Sequence, residues 1–178
     1  MNVYHMFLGD EPLRDNILYP LSDLKTKHPD IYESNMLKYN GRQHILQQRF
    51  PYLDCSWEEV IFLSPVHPDK VTSALAQYFR RVIPSIPYHA IPLADLSTSN
   101  LVLWLFRTRV YDPAEVVLMG EARIEQYMEI PEATTAYFQE QNSKGERPLF
   151  FMHIPHVLHK GLIDVRAYPL QYTQSCDS

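Results

Sequence analysis

Apolar residues fall in short blocks along the chain, and their spacing predicts strands at both ends and in the middle. Residues 2–8, apolar and aromatic, read as a strand closed by the turn formers Gly9-Asp10-Glu11-Pro12. Residues 60–63 (Val-Ile-Phe-Leu) form a short apolar run stopped by Pro65, the mark of a buried strand. Residues 88–93, 101–106, 149–154 and 162–165 read the same way, with a Ser/Thr/Asn turn at 97–100. The clearest helix opens at His67-Pro68-Asp69, with proline at the first helical position and an acid in the first turn. Val71, Ala74, Leu75, Tyr78, Phe79 and Val82 then recur at i, i+3, i+4, i+7, i+8 and i+11, one apolar stripe ended by Pro84.

Other helices are predicted from Ser22 to Pro29, over 30–49 in two pieces broken at Asn40-Gly41, and over 121–129 and 131–142 hinged at Pro131. Asp112-Pro-Ala-Glu115 has the form of a capping box, yet Val116-Val117-Leu118 is strand-like, and both readings stay open. Strands do not alternate regularly with helices, which disfavours a doubly wound parallel sheet. The expectation is a single α+β domain over 1–172, with a mixed or antiparallel sheet and helices concentrated in the N-terminal half. Residues 173–178 are expected to be a frayed tail.

Composition narrows the function classes. The chain has 178 residues, 46% hydrophobic, enough for a sizeable core. Its net charge of −5 argues against broad binding to nucleic acid or an anionic membrane. No apolar run approaches a bilayer span of ~18 residues, and residues 1–6 lack the features of a secretory signal. Two cysteines make no disulfide framework, so a cytoplasmic protein with reduced thiols is expected. The five glycines are widely scattered, which excludes glycine-rich phosphate loops, and no HExxH or nucleophile elbow occurs.

Chemistry is concentrated in the eight histidines and one polar turn. Ser64 and His67 stand where a buried strand meets the strongest helix, whose N-terminal amides suit an anion. His5 lies inside the first strand, either as a hydrogen-bonded core side chain or lining a cleft. Tyr39, Arg42 and His44 belong to a turn that, with Lys38, offers two cations and an aromatic to a phosphate or carboxylate. His153, His156 and His159 follow H-x-x-H-x-x-H. On a strand, 153 and 159 would align and 156 point away, against the convergence that zinc requires. No metal ligand set is assigned. Cys55 has no nearby cation to activate it, so no thiol nucleophile is expected.

Two fragments, Val3-Tyr4-His5-Met6 and Phe62-Leu63-Ser64-Pro65, resemble the first two signature strands of the ADP-ribosyltransferase-like fold, which includes RNA 2′-phosphotransferases and base-modifying toxins. The resemblance spans about ten residues. It implies NAD as cofactor, with His5 (beside Tyr4) holding the ribose and Ser64 positioning the nicotinamide side. Many members carry a catalytic glutamate on a late strand, and residues 149–156 have none. The phosphotransferase branch uses arginine and histidine instead, roles that Arg42, His44 and His153 would fill. Three readings therefore stand side by side: an NAD-using transferase acting through His5, Ser64 and His67 with Tyr4, Tyr39, Arg42, His44, His153 and His156 binding the ligand; a non-catalytic ligand-binding or dimerising domain; and a metalloenzyme built on the late histidines.

Overall fold

Four consecutive buried residues form strand β7 (Leu101–Trp104), and the sheet around it explains why apolar residues run unbroken there. The strands β5 (Val60–Leu63), β9 (His156–Lys160), β7 and β8 (Val116–Leu118) lie in the order β5-β9-β7-β8, each neighbouring pair antiparallel. Successive side chains point to opposite faces. Leu101 and Leu103 enter one core with Val3, Phe7, Ile91 and Val157, while Val102 and Trp104 enter another with Phe50, Leu53 and Leu158. Because both faces are covered, polar alternation is lost. The computed structural model describes residues 1–8, 14–79, 83–120 and 124–175.

A second sheet has the order β1 (Asn2–Met6), β6 (Pro87–Pro92), β11 (Leu170–Tyr172), again antiparallel. One bridge joins it to the first: Tyr4 N–H donates to the Ser64 carbonyl and Ser64 N–H to the Tyr4 carbonyl, both at 2.8 Å. Two short ribbons complete the strands, β2 (Ile17–Leu18) with β10 (Ile163–Asp164) and β3 (Arg49–Phe50) with β4 (Cys55–Ser56).

Helices α1 (Leu21–Lys27), α2 (Pro29–Met36) and α3 (Pro68–Phe79) precede β6, and α4 (Glu132–Lys144) follows β8. Val71 and Leu75 of α3 pack with Tyr137 and Phe138 of α4 over Met152 and Ile154. Pro29 opens α2 rather than merely ending α1, because its missing N–H is no loss at a first helical position. This is the α+β domain with antiparallel sheets that the sequence predicts, three of the four helices among the described residues lying in the N-terminal half.

Several elements differ from expectation. Residues 149–154, expected as a strand, are irregular with a turn over 150–153, and the strand begins at His156. Pro155 lacks the N–H a ladder needs, and His153 adopts a left-handed φ of 63°, which no strand accommodates. At 112–115 the cap and the strand are both present in succession: Asp112 accepts from Ala114 N–H, a 3-10 turn follows, and then β8. Within 124–129 there is only a 3-10 turn, Ile124–Tyr127. Thr173, placed in the expected tail, is buried; its Oγ1 accepts from Ile86 N–H and its carbonyl from Ser85 Oγ. The turn at 9–12, Arg80, Arg81, Val82 and the last three residues lie outside the described residues.

Candidate functional site

A cavity of about 550 Å³ opens beside β7, within the ordinary range for small-ligand sites. One wall comes from the polar turn. After α2 a 3-10 turn, Leu37–Tyr39, is followed by Gly41 at φ 75°, a conformation glycine adopts without cost, and by a second 3-10 turn, Gln43–Gln47. The reversal turns Lys38, Tyr39, Arg42 and His44 toward the cavity. The floor is aromatic, built from Trp57, Trp104 and Phe106, and the far side carries Arg109, Tyr111, Leu149 and Phe151.

These rings lock one another. Trp104 lies 5.5 Å from Trp57, 4.3 Å from Phe106 and 5.7 Å from Tyr111 between ring centres. Trp57 Nε1 donates to Tyr39 Oη at 3.2 Å, and Tyr111 Oη donates to the Arg49 carbonyl at 2.7 Å. Burial pushes the Tyr111 phenol up to about 12, so it stays a neutral donor. Phe106 takes a left-handed φ of 48° and His153 one of 63°, and their rings are 6.1 Å apart. Two non-glycine residues in that region, facing each other beside a cavity, mark strain held by the surrounding packing.

The electrostatics are one-sided. Lys38, Arg42 and Arg109 line the cavity, and no aspartate or glutamate does among the described residues. Arg42 is exposed and donates through Nη2 to the Lys38 carbonyl, meeting no carboxylate among the described residues. Arg109 Nη2 reaches Glu140 Oε2 at 3.4 Å, with its guanidinium 5.2 Å above the Tyr137 ring. A chain of net charge −5 thus carries a local cationic mouth over an aromatic floor.

The remaining sequence-predicted residues separate into two groups. Tyr4 and Ser64 are bridge partners and so share a face, and the His67 ring lies 4.9 Å from Tyr4 and 5.7 Å from Tyr88. His67 Nδ1 accepts from Asp69 N–H at 3.2 Å, which makes it the cap of α3. Buried Ser64 uses its hydroxyl on the Val66 N–H and carbonyl. His5 is one residue along β1 and points to the opposite face, its Nδ1 donating to the Phe62 carbonyl at 3.2 Å. None of Tyr4, His5, Ser64 and His67 lines the cavity. His5 and Ser64 therefore do not face one cleft.

His153 and His156 pack against the aromatic cluster, His156 lying 5.7 Å from Trp104 and 5.6 Å from Phe106. Desolvation pushes His156 down to about 4, and its Nδ1, the Nδ1 of His153 and Trp104 Nε1 are sealed from solvent with no hydrogen-bond partner among the described residues. His156 and His159 enter opposite cores, as odd spacing on β9 requires, and His153 precedes the strand instead of aligning with His159. Among the described residues no three His, Cys, Asp or Glu side chains converge on a metal position. Burial pushes the Cys55 thiol up to about 11, with Glu59 adding to the effect, so it is held protonated.

No protein-family model matches the chain, and neither a curated protein nor a solved structure does. The site has to be read from its own chemistry. Sequence reasoning found Tyr39, Arg42 and His44 but missed Trp57, Trp104, Phe106, Arg109 and Tyr111. A signal was present at 104–111, where three aromatics and two arginines lie at and just beyond the end of the buried strand β7.

Proposed function

We propose that the protein binds a small molecule composed of a planar ring and an anionic group, with NAD or one of its nucleotide halves as the first ligand to test. What supports this reading is the cavity: six aromatic side chains beneath three cations, with no carboxylate in the described lining. Aromatic walls favour a flat ring by offset or edge contacts, and arginine and lysine favour phosphate. The transferase activity implied by the resemblance needs His5 and Ser64 at the same ligand, and these point apart. Binding is accordingly the function the geometry favours.

Titration of the protein with NAD, nicotinamide mononucleotide and AMP, followed by quenching of tryptophan fluorescence and by calorimetry, tests the reading. Saturable binding with quenching is expected, because Trp57 and Trp104 are the only tryptophans and both line the cavity. Absence of heat and of quenching for all three compounds would overturn it. Release of nicotinamide on incubation with NAD would show catalysis beyond binding.

A further inference from the structure

The charge of the cavity cation Arg109 is already engaged by a carboxylate, that of Glu140, and the engagement is weak. Its Nη2 sits 3.4 Å from Glu140 Oε2, a single long contact between side chains about half exposed. The other Glu140 oxygen, Oε1, is bound by Lys144 Nζ at 2.5 Å, one turn further along α4. Glu140 therefore remains neutralised if Arg109 departs. Arg109 is also stacked on Tyr137, whose hydroxyl accepts from the N–H of Leu149 on the cavity wall. The stack keeps the guanidinium at the mouth while leaving its fork open to a new partner.

Resting on the ligand-binding reading above, we propose that Arg109 is the anion-gripping residue of the cavity and that Glu140 is a competing carboxylate that selects for phosphate. A ligand must draw Arg109 from Glu140 to be held. Exchanging one carboxylate for another gains little, since both are monoanions of the same shape. A phosphate monoester brings about one to two charges and three acceptor oxygens, which a planar guanidinium meets with two parallel hydrogen bonds. The site should consequently prefer a phosphorylated ring compound over its carboxylate counterpart, and a neutral ring should be indifferent to Glu140.

The probes are AMP, adenosine 5′-carboxylate and adenosine, titrated against the full chain and the variants Arg109→Ala, Glu140→Gln and the double variant. Both positions are exposed, and unchanged thermal unfolding checks that each variant is folded. Arg109→Ala should weaken AMP by about tenfold or more and leave adenosine unchanged, as expected for one lost charge-assisted pair. Glu140→Gln should tighten AMP by about two- to fivefold, the scale of an exposed ion pair. In the Arg109→Ala background that gain should vanish. A gain that persists there would mean general charge repulsion, and would overturn the proposed competition. AMP binding that is lost in Arg42→Ala but not in Arg109→Ala would overturn the assignment while leaving the binding reading intact. If none of the three probes binds, adenosine included, the binding reading and this inference both fall.

Discussion

Trp104 and His156 face each other across neighbouring strands, paired in register, with ring centres 5.7 Å apart and planes inclined by 36°. The pair puts a histidine where water cannot stabilise its charge, directly behind the cavity floor. Desolvation pushes His156 down to about 4 from an unfolded value near 6.5. Below pH 6.5 the unfolded chain takes up a proton that the folded chain refuses, so stability falls as the pH drops toward 4. The full effect is on the order of 3 kcal/mol. His89 and His159 are pushed down by burial as well and act in the same direction. Urea midpoints at pH 7, 6 and 5 should decline, and His156→Phe, which suits the surrounding rings, should flatten the decline. An unchanged slope in that variant would remove His156 as its source.

Arg42 offers a cleaner test of the cavity than its tryptophans, since Trp104 is part of the core. Arg42→Ala should change stability by no more than about 0.5 kcal/mol. It should weaken NAD about tenfold at low salt and reduce the salt dependence of binding, because one of the cationic partners is gone. Calorimetry at two ionic strengths reads both effects.

The His67 ring caps α3 through Nδ1. His67→Ala should cost about 1 kcal/mol, and His67→Asn, a better cap, should restore it. Neither change should alter ligand affinity at the cavity. Thermal unfolding with parallel NAD titrations separates a structural role from a binding one.

Ser64→Ala removes the acceptor for the buried Val66 N–H at the bridge between the sheets. An unsatisfied donor there should cost about 1–3 kcal/mol. Denaturant unfolding of the variant measures it, and a loss under 0.5 kcal/mol would imply that the Val66 amide finds another partner.

Cys55, buried and held protonated, should resist alkylation until the chain unfolds. In a Cys176→Ser background, iodoacetamide labelling should follow the denaturation curve.

The sequence made the fold legible where one residue type decides the outcome. Pro68 and the stripe from Val71 to Phe79 mark α3, and the run at 101–104 marks a strand covered on both faces. It misled at 149–154, where apolar residues signal burial but not conformation. Phe150, Phe151 and Met152 pack against α3 and α4 from a turn. The site was half legible. Tyr39, Arg42 and His44 form one contiguous polar turn, whereas Trp57, Trp104 and Arg109 are assembled from distant segments by sheet pairing. The opposed faces of His5 and Ser64 depend on a register that pairs Tyr4, not His5, with Ser64. A one-residue shift would have reversed that arrangement.

That same register has a consequence for synthesis. Asn2 pairs with Pro92 and Met6 with Tyr88, separations of 90 and 82 residues, and β1 is further joined to Ser64 by one isolated bridge at Tyr4. At roughly 5–20 residues per second, a ribosome needs on the order of 4–18 s to deliver those partners after β1 is made. For that interval Val3, Tyr4, Met6 and Phe7, all buried in the finished protein, lack the cover that β6 gives them. A holdase chaperone that grips residues 2–7 should therefore raise the soluble yield of this chain, and most when translation is slow.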